Sequence, residues 1–441
     1  MKQSKHNIYY SPKEVRTILE RSIDTALDSL KCYCNDPVSD FTRCRKLPAR
    51  SLIECIMSFS NYSSIGELSH FFVGQGEMPS ASALSQRRQL LDPDIFKRIN
   101  NLFVSAFDDH TTINGYHILA QDGSDVNIPF MDDKTKTEKH DAKSFCQYHV
   151  NALYDCLNKV FYDWSIDAAS KKREVNALIS ILKDRNYPQN SIFTADRGYE
   201  SYNLMAHFIE NDIKFVIRVK DIHTKSGLMT NIKTEEGAFD IRVTRTLTSL
   251  QTKEIKADKE KYIFVPSTSN FDFLDETRDL YDLSFRAVRF KISEDTYETV
   301  VTNLSEEEFK TEDFKELYHY RWNEETAFNK LKYTIGLVYF HARKRKLIQQ
   351  EINAAFLMYN VSEVIIRNIY LKKNKKPELE YDYKPNFSSA VTNIRLYLRK
   401  KINMRELILR IKKFLVAQRP ERSYERNIKG QSCKPLNYRT S

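Results

Sequence analysis

The 441-residue chain carries 69 Lys and Arg against 59 Asp and Glu, a formal net charge of +10 with 12% aromatic residues. That length exceeds one ordinary hydrophobic core, so roughly two to four domains are expected, and a moderately basic, aromatic-rich surface suits a polyanionic partner without requiring one. No apolar run approaches the roughly 20 residues that span a bilayer, MKQSKHNIYYSPKEV lacks the apolar core of a signal peptide, and an odd count of seven Cys argues against a disulfide framework. The expectation is a chain without membrane contact in a reducing cytoplasm.

In chain order, residues 1–110 read as helical. SPKEVRTILERSIDTALDSL opens with Ser-Pro and keeps a 3.6-residue apolar period, and SLIECIMSFS is a second apolar helix. Cys32, Cys34, Cys44 and Cys55 lack the paired C-x2-C knuckles of a zinc ribbon, so idle or buried thiols are expected over a metal site. The turn GQGEMPS leads into a helix carrying Arg87 and Arg88, a pattern that fits either a DNA-reading helix-turn-helix or a helical bundle with a solvated Arg pair. As a separate DNA-binding unit, residues 1–105 are expected to be removable with the core still folded.

From Tyr116 the pattern turns to strands. YHILAQ ends at Asp122-Gly123-Ser124, then come FCQYHVNALYD, VFYDWSIDA (160–168), a helix KKREVNALISILKD (171–184), SIFTADRGY (191–199) ending at Asp196, a helix SYNLMAHFIEN and KFVIRVK (214–220). Such an order describes a mixed sheet with helices on its faces over 111–220, with functional groups at strand ends. Residues 221–296 read as a β-rich insertion, and 297–350 as the second part of the core, opened by strand YETVVTNL. A buried helical region over 351–416 and a basic tail over 417–441, disordered or ordered on a polyanion, complete the chain.

The stretch TEDFKELYHYRWNEETAFNKLKYTI (311–335) reads as one helix of about six or seven turns capped by Thr311. At about 100° per residue, Leu317, Phe328, Leu331 and Ile335 form an apolar stripe, and Tyr318, Arg321, Glu325 and Lys332 lie together beside it. Glu324 points roughly 60° to 100° away from Arg321 and Lys332. The bland reading is a solvated face with intrahelical ion pairs. The sharper one is a carboxylate poised between cations at a desolvated edge, and the two upstream acids favour it.

Two Asp at the ends of neighbouring buried strands, with a Glu on a later helix packed on the same sheet, can converge on one point. Three carboxylates without a His cluster favour hard cations such as Mg²⁺ or Mn²⁺, and two such ions would serve in-line displacement at phosphorus. Asp125 is an alternative set back beyond Gly123-Ser124, and Asp163 and Asp167 read as surface or supporting acids.

At these residues the chain resembles the insertion-sequence DDE transposases that excise DNA by a hairpin route. Tyr318-x2-Arg321-x3-Glu325-x6-Lys332 matches their Tyr-Arg-Glu-Lys signature, supported by DGS at Asp122, ADRGY at Asp196, Trp322 after the signature Arg, the β insertion and RPERSYERNIK near the C-terminus; the resemblance spans roughly residues 40–430. It implies an α/β, ribonuclease-H-like mixed sheet flanked by helices, interrupted by an all-β insertion, with helical N- and C-terminal regions. Asp122, Asp196 and Glu325 would bind two Mg²⁺, with Mn²⁺ able to substitute, and Tyr318, Arg321 and Lys332 would hold DNA phosphates. The implied reaction is nicking, hairpin formation and joining to target DNA. Implied partners are double-stranded DNA, as terminal inverted repeats and target, and a second copy in a homodimer; the implied setting is the nucleoid of a prokaryote. A transposase-derived DNA-binding protein or a nuclease without strand transfer are the competing readings. One feature departs from the family. The resemblance implies a Trp of the insertion against a flipped base, yet the only Trp are Trp164 and Trp322; Tyr297 or an insertion aromatic such as Phe285 could stack instead, against the plainer reading of these as core aromatics.

Overall fold

The computed structural model describes residues 1–5, 9–43, 45–74, 76–129, 136–137, 145–169, 174–222, 224, 226–266, 268–269, 271–294, 296–370 and 381–418. The tail from 419 onward, including RPERSYERNIK, lies outside them.

The N-terminal part comprises β1 (Gln3–Lys5) and five helices, α1 (Pro12–Asp28), α2 (Ala49–Met57), α3 (Ser64–Phe72), α4 (Ala81–Leu90) and α5 (Asp94–Val104). Local chemistry sets their starts: Ser11 and Glu14 form a capping box ahead of Pro12, and Ser63 and Ser80 accept from the Gly66 and Ala83 amides. β2 (Thr111–Ile113) pairs with β1, then β3 (His117–Ile128), β4 (Lys136–Thr137), β5 (Phe145–Asp155) and β6 (Val160–Ala168) follow. Next come α6 (Glu174–Asp184), β7 (Ser191–Ala195), α7 (Tyr202–Glu210) and β8 (Lys214–Val219). β5 lies antiparallel between β3 and β6, while β3, β7 and β8 run parallel, giving the order β6-β5-β3-β7-β8. That is a ribonuclease-H-like mixed sheet flanked by helices. All five residues of β7, and the first five of β3, are buried, as strands covered on both faces must be.

Residues 221–296 contribute β9 (Phe239–Thr248), the short α8 (Lys253–Ala257), β10 (Tyr262–Phe264) and β11 (Leu280–Ser293). These strands extend the mixed sheet that carries Asp122 instead of closing a sheet of their own. β12 (Thr296–Thr302) pairs antiparallel with β8, β11 with β12, β9 with β11, and β10 with β9, giving ten strands in one sheet among the described residues.

The stretch expected as one continuous helix is divided into α9 (Asp313–His319), a turn at Tyr320-Arg321, α10 (Trp322–Lys330) and a π turn over Leu331–Ile335. Around the break the backbone tightens, with amides of Arg321, Asn323 and Glu324 each bonding three residues back. Thr311 does not cap the helix; its hydroxyl donates to Asp240 of β9.

α11 (Arg345–Tyr370) is the axis on which the rest packs. Its polar residues are tied off one by one: Gln350 donates to the Arg88 and Leu91 carbonyls, and Asn353 accepts from Trp164 Nε1 at 2.7 Å and donates to Pro93. Asn360 bridges Asn100 and Phe161, and Arg367 donates to Asp109. β13 (Asp382–Pro385), α12 (Phe387–Leu398), α13 (Met404–Lys413) and β14 (Leu415–Gln418) close the described chain.

Candidate active site

Strand register brings the two aspartates together. β3 and β7 pair in parallel from His117 with Ser191 to Gln121 with Ala195, so Asp122 and Asp196 are the next residue on each. Side chains so placed on neighbouring strands share a face and stand about 4.8 Å apart along the hydrogen-bonding direction. Asp122 Oδ1 accepts from the Gly123 amide at 2.8 Å, and Asp196 Oδ1 from the Gly198 amide at 2.8 Å, which also caps the turn Arg197–Tyr199. Burial pushes the Asp122 carboxyl up to about 6; the Gly123 amide and Arg321 oppose the rise, and Asp196 and Glu325 add to it.

α10 packs against β3 and delivers the third acid. Asn323 helps to seat it by donating to the Cys156 carbonyl at 3.2 Å. The buried Arg321 lies between the sheet and the helix: Nη1 is 3.9 Å from Asp122 Oδ2, and Nη2 is 3.7 Å from Glu325 Oε1. Lys332 lies within reach of the fields of Asp125 and Asp122, which act against the downward pull of burial on its ammonium. Tyr318 is 1% exposed, and its ring lies 5.5 Å from the Arg321 guanidinium carbon. It therefore backs Arg321 and does not itself reach the open side.

Glu324 has a different surrounding from the one helix spacing suggests. It is 0% exposed, and neither carboxyl oxygen makes a well-formed hydrogen bond. Burial raises its pKa well above the usual range, Asp122 reinforces the rise, and Arg321 opposes it. Glu324 therefore lies buried beside Asp122, while Glu325 meets Arg321.

The donor set suits a hard divalent cation. Three carboxylates face one region, and the raised Asp122 pKa reflects burial and repulsion that a divalent charge would reverse. No group of three or more His, Cys, Asp or Glu among the described residues is close enough to hold a metal ion as it stands. Arg321 occupies the space between Asp122 and Glu325 and would have to turn toward an incoming phosphate.

Arg87 and Arg88, expected at DNA, point inward. Arg87 donates from Nε to the Leu47 carbonyl at 3.0 Å and lies over Phe41; Arg88 reaches Gln350, the Leu347 carbonyl and Glu351 Oε1 at 2.8 Å. Both are buried, and their guanidinium charge serves packing against α11 and the 41–47 segment. Among the aromatics, Phe285 is 2% exposed in the core and Trp164 stacks on Phe356, so neither is open to a base. Tyr297 is half-buried beneath Arg289 at 4.1 Å. Trp322 is 42% exposed beside Arg321, and Phe264 of the insertion is 44% exposed on a groove lined by Arg197, Gly198 and Lys220 next to Asp196.

Asp125, the alternative acid, accepts from His149 Nδ1 at 2.7 Å on the other face of β3, and Asp163 is buried against Lys97 at 2.7 Å. Asp167 accepts from Ser165. Sequence reasoning weighed Glu324 and set it aside, and it missed His149 and Glu174. His149 sits in an unbroken strand run, and no local spacing ties it to Asp125 or Glu174. Cys55 is a core thiol, pushed up to about 12 by burial.

Residues 113–361, more than half of the chain, match the family model described as the transposase DDE domain. The chain belongs to that family. The matched segment of this DDE transposase chain contains all three acids and the Tyr318, Arg321 and Lys332 set. No curated protein matches it. Among solved structures it is similar to a piggyBac transposase in a synaptic complex with hairpin DNA, seen by cryo-electron microscopy. The two are 12% identical, with a TM-score of 0.44, and the likeness covers 96% of this chain and 90% of that one.

Proposed function

We propose that this DDE transposase chain cuts and rejoins double-stranded DNA by metal-assisted phosphoryl transfer, with Asp122, Asp196 and Glu325 holding two Mg²⁺ ions. The observation that carries the reading is the register of β3 and β7, which sets Asp122 beside Asp196, together with Arg321 reaching both Asp122 and Glu325. When bound, the two cations supply activation of the attacking oxygen and stabilisation of the leaving one. Asp122 and Asp196 are oriented by the Gly123 and Gly198 amides, so their outer oxygens remain directed to the open side. Arg321, backed by Tyr318, exchanges carboxylate contacts for a bidentate phosphate contact, which its planar fork suits. Lys332 adds a point charge to the same phosphate.

In this reading the reaction is cut-and-paste transposition through a hairpin intermediate, performed by a dimer holding two element ends. Trp322, beside Arg321, and Phe264, on the groove lined by Arg197 and Gly198, are exposed aromatics that can stack on an unpaired base at the hairpin; Tyr297 would need Arg289 to move first. Mn²⁺ is expected to replace Mg²⁺, since both take oxygen ligands.

The test uses the full chain and DNA carrying its own element ends. Glu325→Gln should reduce Mg²⁺-dependent cleavage to background while DNA binding persists, because Arg321 keeps its place at Asp122. Retained cleavage would overturn the assignment of Glu325. Cleavage by the unmodified chain with no strand-transfer product would instead identify a nuclease on the same core.

A further inference from the structure

Behind the acids, on the opposite face of β3, lies a second set of polar groups that phosphoryl transfer does not use. His149 of β5 is opposite Asp125 in the β3–β5 register and is 1% exposed. Its Nδ1 stands 2.7 Å from Asp125 Oδ1, and its Nε2 stands 3.1 Å from Oε1 of Glu174, the first residue of α6. Burial works against a charge on this imidazole, but the two carboxylates outweigh it and hold the pKa up to about 9.

The two glycines that follow the catalytic aspartates open onto this set. A Cβ at Gly123 would lie 2.3 Å from His149 Nε2 and 3.0 Å from Glu174 Oε1, closer than side-chain contacts allow. A Cβ at Gly198 would lie 2.9 Å from Asp196 Oδ1 and 3.5 Å from Glu174 Oε2. One carboxylate thus reaches from the glycine after the first acid to the glycine two residues after the second. These glycines also supply the amides that orient Asp122 and Asp196. Both glycines place an amide on an acid; Gly123 in addition leaves room for His149 and Glu174, whereas at Gly198 a side chain would meet Glu174 at ordinary contact distance.

We propose that Glu174, held by His149, is a positioning residue that sets the separation of Asp122, in the middle of β3, and Asp196, just past the end of β7, and hence the affinity of the site for divalent metal. Outer groups that orient metal-binding carboxylates typically change metal affinity 10–100-fold when removed. The inference rests on the reading of Asp122 and Asp196 as metal ligands.

The experiment follows thermal unfolding of the full chain against Mn²⁺ concentration, with no DNA present, for the unmodified protein, Asp122→Asn, Glu174→Gln, His149→Gln and Gly123→Ala. Metal that binds the folded state raises Tm with concentration. The unmodified chain should show this rise and Asp122→Asn should lose it. Glu174→Gln and Gly123→Ala should each shift the Mn²⁺ midpoint upward by about tenfold or more, with the metal-free Tm of Glu174→Gln little changed. His149→Gln should behave as Glu174→Gln does and serves in its place should that variant not fold. A Glu174→Gln midpoint equal to that of the unmodified chain, with or without a lower metal-free Tm, overturns the positioning role. A full Mn²⁺ response in Asp122→Asn, or none in the unmodified chain, overturns the metal reading itself and the positioning role with it.

Discussion

Arg321 carries more of the site than its place in a signature suggests. It is buried, within 4 Å of two of the three acids, and stacked between Tyr318 and Trp322. A guanidinium there neutralises the two carboxylates, and in the proposed reaction it would neutralise phosphate in their place; lysine has one point charge and cannot span both. His149 offers a second residue-scale test, through pH. Its folded pKa of about 9 lies above the ordinary 6.5, so protonation favours the fold. The stabilisation is fully present below pH 6.5 and is lost as pH rises through about 9, with an upper bound of roughly 3 kcal/mol. Urea unfolding of the unmodified chain and His149→Gln should therefore show a stability gap at pH 6 that narrows by pH 9.5. A gap that stays constant would mean the imidazole titrates alike in the folded and unfolded chain.

At the scale of elements, the turn at Tyr320-Arg321 decides which acid faces where. Uniform helical spacing sets Glu324 apart from Arg321, but the tightened backbone brings it beneath the site, fully buried next to Asp122. α4 shows the converse. Its Arg pair reads from the sequence as a solvated or DNA-facing charge, but Ser80 caps the helix in a phase that turns both residues to the core. Glu351, which Arg88 and His341 hold down to about 2 against its burial, depends on that contact. Arg88→Ala should cost roughly 3 kcal/mol, because a buried charge loses a partner. It should leave the salt dependence of DNA binding unchanged, whereas losing a true phosphate contact would lower the slope by about 1. A lowered slope with normal stability would return Arg88 to the DNA interface.

At the scale of the molecule, α11 joins regions that the sequence separates. Ile95, Phe96, Ile99 and Phe103 of α5 are fully buried, and the Asn100–Asn360–Phe161 and Trp164–Asn353–Pro93 bonds link the N-terminal helices, α11 and β6. Removing residues 1–105 was expected to spare the core; the packing argues the reverse, since it would bare one side of α11 and leave Asn353 and Asn360 short of partners. The truncated chain should lose a cooperative thermal transition by circular dichroism. A cooperative melt near that of the full chain would restore the idea of an independent core.

By itself, the sequence determined the main strands and helices from Tyr116 to Lys220 and their order, and it singled out three candidate acids; it missed β2 and β4 and ended β3 at Asp122, six residues short of Ile128. Those signals are local: buried apolar runs end in Asp-Gly or Asp-Arg-Gly, and amphipathic stretches of helical period lie between them. The tertiary structure decided the rest. Only the β3–β7 register sets Asp122 beside Asp196, only the pairing of β12 with β8 makes the insertion strands part of the sheet that carries the two aspartates, and only packing turns Arg87, Arg88 and Phe285 inward. The His149–Glu174 contact joins residues on a strand and a later helix. Such contacts depend on distance in space between elements far apart in the chain, and no spacing within one element encodes them.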